Sequence, residues 1–184
     1  MKKLLEDREE IIFILLEPNN EHDDFMRKKF QSLRYQEFVI KKNRNWEKKN
    51  IECLEVDEYD QHSDYIICLE KNEIIAGCRL VNNNEAELPI SKTIGKTKSN
   101  SIEISRMISI SKNPEVKHIL YGLIYQHVIK NHYDYVYVMI RLAMIKMLKR
   151  GKINIFKKIG NIHHHHGLKL VPMMAHMKDL KKIF

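Results

Sequence analysis

Charged and aromatic side chains recur along one part of the chain, between residues 33 and 106. The series is Arg34, Phe38, Trp46, Asp57, Asp60, Arg79, Glu103 and Arg106. A carboxylate can take a proton from an ammonium group, which makes the amine nucleophilic. A guanidinium presents a planar fork of donors that fits a carboxylate. The series therefore predicts a charged site that could bind a substrate and transfer a proton, and we interpret it as an acyl-transfer site.

The same charges could instead form a structural ion-pair network that fixes an N-terminal helix against a sheet. We favour catalysis for the complete series, because buried charges are expensive and are usually retained at functional sites or in fully paired networks. Trp46 is equally compatible with an ordinary core position. The histidines from His163 to His166 would alternate between faces in an extended chain, so at most two share a face and we predict no metal site.

Length and composition indicate one compact domain over residues 1–184. The chain is 43% hydrophobic and 30% charged, as in ordinary globular proteins. Its formal charge of +8 favours an anionic partner or reflects a solvated basic surface. No module that interleaves aromatic and basic residues for nucleic acid is recognisable, so we predict no nucleic-acid partner.

The cysteines and the apolar runs point to the cytoplasm. Cys53, Cys68 and Cys78 are odd in number and show no CxxC spacing, which is typical of reduced thiols. The apolar run Ile11–Leu16 is too short to cross a membrane, so we predict no transmembrane segment and leave peripheral membrane contact open.

Hydrophobic periodicity predicts a mixed order of strands and helices. Strands are expected at residues 11–16, 64–70, 74–80, 102–110, 135–140, 153–159 and 163–172, and helices at about 23–39, 114–130 and 141–149. The two strands 64–70 and 74–80 read as a hairpin, and the strand pattern breaks near residues 105–107 as at a β-bulge. Residues 89–101 read as a surface connection. The order implies one α+β or mixed α/β domain, not a doubly wound parallel sheet.

Short motifs along the chain carry a resemblance to a known group of enzymes. They are LRYQ at 33–36 with Phe38, EVDEYD at 55–60, GCRL at 77–80, EISR at 103–106 and HHG at 165–167. From about Ile11 to Ala175 the chain resembles the acyl-homoserine-lactone (autoinducer) synthases of the GNAT fold. It is more similar still to the long-chain N-acyl amino acid synthases and exosortase-associated acyltransferases.

The resemblance implies a GNAT-like acyl-CoA N-acyltransferase fold of the α/β (α+β) class, with a central mixed, mostly antiparallel twisted sheet flanked by helices. It implies an enzyme that moves a fatty acyl group from an acyl carrier protein thioester to the amine of an amino acid. An acyl-homoserine-lactone synthase that uses S-adenosylmethionine in quorum sensing is one alternative, and a non-catalytic acyl-binding relative is another.

The resemblance also suggests roles for individual residues. Glu103 would be the general base, while Asp57 and Asp60 would hold the acceptor's ammonium group or tie down an arginine. The substrate-binding set would be Arg34, Phe38, Trp46, Arg79, Ser105, Arg106 and Met107. The chain has residues 111–115 where coenzyme A-dependent relatives have a Gly-rich pyrophosphate loop. We therefore expect no tightly bound cofactor and a donor carried on the phosphopantetheine of acyl carrier protein, with acyl-CoA less favoured.

Overall fold

The computed structural model describes residues 3–8, 11–41, 52–150, 155–165 and 167–180. The strands are β1 (Lys3–Arg8), β2 (Ile11–Leu16), β3 (Ser63–Glu70), β4 (Glu73–Asn82), β5 (Ser101–Ser109), β6 (Tyr135–Arg141), β7 (Lys157–Lys158), β8 (His163–His165) and β9 (Leu168–His176). The helices are α1 (Asp24–Arg34), α2 (Ser91–Ile94), α3 (Pro114–Lys130), α4 (Leu142–Arg150) and α5 (Met177–Leu180). Short 3-10 helices span Glu21–Asp23 and Asp60–His62, and a π-helix spans Tyr35–Ile40.

The chain forms two compact units. The first contains Met1–Leu80 and Arg106–Ile124, and the second contains Val81–Ser105 and Tyr125–Phe184. The strands β4 and β5 and the helix α3 therefore each contribute residues to both units. Within the described residues, no helix is both long enough and apolar enough to cross a membrane.

In the first unit, α1 packs on a sheet of order β1-β2-β3-β4. β2 pairs antiparallel with β1 and β3. Met26 and Phe30 of α1 join a core cluster with side chains of β2, β3 and β4. Gly77 of β4 allows this close approach, because a Cβ there would lie 2.8 Å from Phe30 Cε2 and 2.9 Å from the Ile66 carbonyl oxygen.

Two local features of the first unit agree with the sequence. The predicted N-terminal helix is confirmed, and beyond Arg34 it continues as the π-helix, in which Phe38 and Val39 are buried. The predicted hairpin is also confirmed. Lys71 and Asn72 adopt φ values of 49° and 67°, the left-handed pair that a two-residue turn between twisted strands requires.

In the second unit, β5 and β6 are parallel and β6 is antiparallel to β9, so the sheet is mixed. β7 and β8 both pair with β9. Ile145 of α4 packs on a cluster formed by Ile140, Val171 and Met173. The helices α3 and α4 agree closely with the predicted ones.

Three expectations about strands and connections differ from the structure. The single strand predicted at 163–172 is wrong: Gly167, with φ of 75°, reverses the chain so that β8 folds back on β9. Of the strand predicted at 153–159, only Lys157–Lys158 is described as strand, and residues 153 and 154 lie outside the described residues. The surface connection at 89–101 contains α2, and Ile90 is buried there.

Candidate active site

Three arginines and three carboxylates meet in the first unit and balance each other in formal charge. Arg34 ends α1, Arg79 lies on β4 and Arg106 lies on β5. The carboxylates all come from the segment between the π-helix and β3, and they are Glu55, Asp57 and Asp60. We call these six residues the ion-pair network.

Asp60 is the most fully bound carboxylate of the network. Its Oδ1 accepts hydrogen bonds from Arg34 Nη1 at 2.6 Å, from Arg79 Nη1 at 3.1 Å and from the Tyr65 hydroxyl. Its Oδ2 accepts from Arg34 Nη2 at 3.2 Å and from the Asp57 backbone N–H at 2.7 Å. Five donors fill the lone pairs that one carboxylate offers, so no acceptor site remains on Asp60 for a substrate.

The electrostatics agree with a permanently charged interior. Burial alone would raise the pKa of Asp60, but the Arg34 guanidinium, its hydrogen bond and the charge of Arg79 hold that pKa well below the ordinary range. Burial alone would lower the pKa of Arg34, yet Glu55 and Asp60 raise it above its ordinary value. The pKa of Arg79 is raised in the same way by Asp57 and Asp60, against the effect of burial.

Glu55 connects the helix to the strand. Its Oε2 accepts from Arg34 Nε, and its Oε1 accepts from Arg106 Nε at 2.7 Å. Its backbone N–H donates to the Gln31 carbonyl of α1 at 3.2 Å. Arg106 adopts φ of 50°, a left-handed conformation that is costly for a residue inside a strand and that matches the predicted break in β5. Glu55 thus binds the residue at which the strand is deformed.

The network has a closed end and an open end. The side chains of Arg34, Arg79 and Glu55 are 0% exposed, and that of Asp60 is 4% exposed. The side chain of Asp57 is 18% exposed and that of Arg106 is 26% exposed. These two residues face each other, with Arg106 Nη2 at 3.0 Å from Asp57 Oδ2. Asp57 Oδ1 accepts from Arg79 Nη1 and, at 3.0 Å, from the Tyr59 backbone N–H. Solvent therefore reaches the network at the Asp57–Arg106 pair.

The remaining predicted site residues are placed individually. Glu103 lies on the part of β5 that belongs to the second unit, is 2% exposed, and accepts a hydrogen bond on Oε2 from the Ile90 backbone N–H at 2.6 Å. Phe38 is buried on the π-helix, and Ser105 and Met107 are half-buried on β5. Trp46 lies outside the described residues. The roles assigned to all of these residues stay predictions.

Sequence reasoning did not assign a site role to Glu55 or Tyr65. Glu55 was detectable as the first acidic residue of the EVDEYD motif. Tyr65 could not be recognised from the sequence, since it lies in an apolar strand. Its link to the site is the hydrogen bond that its hydroxyl donates to Asp60, which only the structure shows. Within the described residues, no group of three or more His, Cys, Asp or Glu side chains has the arrangement of a metal site.

Comparison with known proteins identifies the fold. Residues 33–114 match the Acetyltransferase (GNAT) domain family. No curated protein matches the sequence significantly. The structure resembles the CoA-dependent acyl-homoserine lactone synthase BjaI, determined with SAM and isopentyl-CoA (TM-score 0.73, 15% identity, covering 92% of this chain and 85% of that one). It also resembles the AHL synthase LasI (TM-score 0.71, 16% identity, 91% and 90% covered).

A third similar structure is an acyl-CoA N-acyltransferase from Pseudomonas aeruginosa (TM-score 0.68, 15% identity, 90% and 99% covered). The domain match and these neighbours agree on the same fold. The chain has the mixed α/β GNAT acyltransferase fold, with a mostly antiparallel sheet flanked by helices, and its predicted similarity to the autoinducer synthases is confirmed.

Proposed function

We propose that this protein transfers a fatty acyl group from a thioester to the amine of an amino acid. The observation that carries the proposal is the open end of the ion-pair network. There, one carboxylate and one guanidinium lie 3.0 Å apart and are both partly exposed. An amino acid carries the complementary charges, an ammonium and a carboxylate. The acceptor's ammonium pairs with Asp57 and its carboxylate with Arg106.

The closed end of the network supports this binding. Arg34, Arg79, Glu55 and Asp60 are buried and paired, so their charges are fixed before the substrate arrives. Charges that are already oriented cost little reorganisation when a ligand binds or when charge develops during reaction. We infer that these four residues hold Asp57 and Arg106 in position and do not themselves contact the acceptor.

The reaction needs a base and an oxyanion donor. On the resemblance stated above we assign the role of base to Glu103, and proton transfer of this kind typically contributes about 10² to 10⁴ in rate. The amine nitrogen then attacks the thioester carbon and forms the C–N bond. A backbone N–H beside the deformed part of β5, near Met107, stabilises the oxyanion, which is worth about 10² to 10³. Collapse breaks the C–S bond, and the leaving thiolate takes up the proton that the new amide nitrogen loses.

We propose acyl carrier protein as the donor's carrier, because residues 111–115 are not a Gly-rich loop and the formal charge of +8 would attract an acidic partner. Acyl-CoA is the alternative, and the CoA-dependent synthase BjaI is a structural neighbour. A cytoplasmic location is part of the proposal, and the free thiols of Cys53, Cys68 and Cys78 support it.

A second candidate acceptor is S-adenosylmethionine, which would make the protein an acyl-homoserine-lactone synthase. It is favoured by the similarity to BjaI, whose structure contains SAM. S-adenosylmethionine carries the same ammonium and carboxylate as an amino acid, so the open end of the network suits both acceptors.

The test measures free thiol released from long-chain acyl carrier protein or from the matching acyl-CoA. Each donor is incubated with single amino acids or with S-adenosylmethionine, and mass spectrometry identifies the product. We expect release that depends on one acceptor and one carrier. If no acceptor promoted thiol release, the enzyme proposal would be refuted, and an unchanged rate in Glu103→Gln would refute Glu103 as base.

The role of Arg106 has its own variant. Arg106→Lys keeps the charge but loses the planar fork, so we expect the acceptor's KM to rise about ten-fold, equivalent to about 1.4 kcal/mol. Arg27→Lys is the matched control, since Arg27 pairs with exposed Asp24 outside the network. An acceptor KM that is the same in both variants would contradict carboxylate binding by Arg106.

A further inference from the structure

Among the residues that the structure describes, Tyr65 is the one uncharged side chain that donates to Asp60, the carboxylate at the centre of the ion-pair network. The proposed reaction does not use it. It is 0% exposed and lies on β3, opposite Leu16 of β2. Its ring meets Phe30 of α1 edge to face, with centroids 5.9 Å apart and an interplanar angle of 75°. Phe30 in turn packs directly over Gly77. The phenol ring is therefore enclosed by a strand on one side and a helix on the other.

The hydroxyl of this ring forms its hydrogen bonds with Asp60. It donates to Asp60 Oδ1 and lies 3.3 Å from the Asp60 carbonyl oxygen. Burial and the negative charge of Asp60 raise the pKa of Tyr65 above its ordinary value. The hydroxyl consequently keeps its proton at neutral and moderately alkaline pH and remains a donor to Asp60.

The two arginines hold Asp60 unequally. Arg34 binds both carboxylate oxygens, at 2.6 Å and 3.2 Å, whereas Arg79 reaches only Oδ1, at 3.1 Å. Without a further donor, the carboxylate could turn towards the bidentate Arg34 fork and away from Arg79. The Tyr65 hydroxyl holds Oδ1 at the point that both arginines share. Arg79 Nη1 is also the atom that donates to Asp57 Oδ1, so its place determines where Asp57 lies.

We propose that Tyr65 is a positioning residue for the acceptor site, acting on Asp57 through Asp60 and Arg79. The inference rests on the proposed function, because Asp57 is the group that meets the acceptor's ammonium. A rigid, neutral phenol suits this task, since it fixes a carboxylate without adding charge to a balanced network. Loss of the Tyr65 hydroxyl should therefore weaken binding of the acceptor and leave binding of the acyl donor unchanged.

The kinetic test compares Tyr65→Phe with Tyr133→Phe, which removes the hydroxyl of a buried tyrosine in the second unit. In Tyr65→Phe the acceptor's KM should rise about ten-fold, while kcat and the donor's KM stay within about two-fold, and Tyr133→Phe should leave the acceptor's KM unchanged. In an Asp57→Asn background, Tyr65→Phe should change the acceptor's KM no further. A fall in kcat at constant acceptor KM, or equal effects of both tyrosine variants, would overturn the inference.

A second measurement does not depend on the reaction. NMR of the arginine side chains reports how fast the Nη hydrogens of Arg79 exchange with water. We expect exchange about ten-fold faster in Tyr65→Phe than in the wild type or Tyr133→Phe, because local opening accelerates exchange. If the wild type releases no thiol with any acceptor, the proposed function fails while this measurement still decides the positioning. Equal exchange in all three proteins would refute it.

Discussion

Replacement of Glu55 by glutamine tests whether the ion-pair network is a balanced, buried unit. The wild-type network contains three guanidinium groups and three carboxylates. The substitution keeps the shape of the side chain but leaves a net positive charge in a buried place. The new amide also directs a donor at the N–H group of Arg34 or Arg106, where the wild type has an acceptor oxygen.

The expected loss follows from the 0% exposure of Glu55. Breaking a buried ion pair from one side costs about 3 to 5 kcal/mol, and we expect the lower value because glutamine still accepts one hydrogen bond. For a chain of this length, a loss of about 3 kcal/mol lowers Tm by about 6 to 12 °C. Urea unfolding followed by circular dichroism gives the free energy, and a thermal scan gives Tm.

The matched control is Glu37→Gln. Glu37 pairs with Lys41 four residues further along the chain, and their side chains are 15% and 63% exposed, so water reaches the lysine end of this pair. Such pairs contribute about 0 to 1 kcal/mol, so this variant should unfold almost as the wild type does. If Glu55→Gln lost no more free energy of unfolding than Glu37→Gln, the description of the network as a buried structural unit would be wrong.

Three further predictions concern packing, pH and thiol reactivity. Gly77→Ala should lower the free energy of unfolding by about 1 to 3 kcal/mol, because the added methyl group meets Phe30 and backbone, and urea unfolding measures the loss. The pKa of Asp60 is lower in the folded protein than in the unfolded chain, where it is about 3.9. The ionised carboxylate therefore stabilises the fold fully above that pH, and this contribution is lost as the pH falls below it. In Asp60→Asn, the free energy of unfolding should depend less on pH in the acidic range. Exposed Cys53 should react with a thiol reagent in the native protein, whereas the two buried cysteines, whose pKa values burial raises to about 12, should react only after unfolding.

Each of these three predictions would be contradicted by a specific result. Gly122→Ala serves as the packing control, since nothing lies within 4 Å of the added methyl group, and equal losses in both glycine variants would argue against close helix packing. A pH dependence that Asp60→Asn leaves unchanged would remove Asp60 from acid unfolding. Native modification of all three thiols would show that the hairpin of β3 and β4 opens readily.

The sequence was informative where local pattern decides structure. The hairpin around Lys71 and Asn72 and the deformed part of β5 around Arg106 were predictable, because turn chemistry and a break in alternation are visible in a few neighbouring residues. The hairpin of β8 and β9 was not predicted, because the histidine run hides the reversal at Gly167. β1 was missed because its charged residues do not alternate, and pairing with β2 decides its conformation.

The site was predictable only in part, for a related reason. The motifs pointed to arginines and carboxylates that do lie together in the first unit. They are Arg34, Asp57, Asp60, Arg79 and Arg106. The motifs could not rank them by exposure, because exposure depends on how α1 covers the sheet. Asp60 and Asp57 look alike in the sequence, yet one is enclosed by five donors and the other lies partly in solvent.

The π-helix after Arg34 separates two parts of the N-terminal helical segment. A π-helical turn is wider than an α-helical turn and inserts about one extra residue, so it rotates whatever follows by about 100° relative to a continuous α-helix. Arg34 therefore keeps its angle towards the sheet while Phe38 and Val39 are turned inwards independently. A deletion of one residue between 35 and 40 would restore an unbroken helix and swing both apolar side chains away from the interior. Length in this segment is thus constrained as strictly as residue identity, and homologous sequences should tolerate substitutions there more readily than gaps.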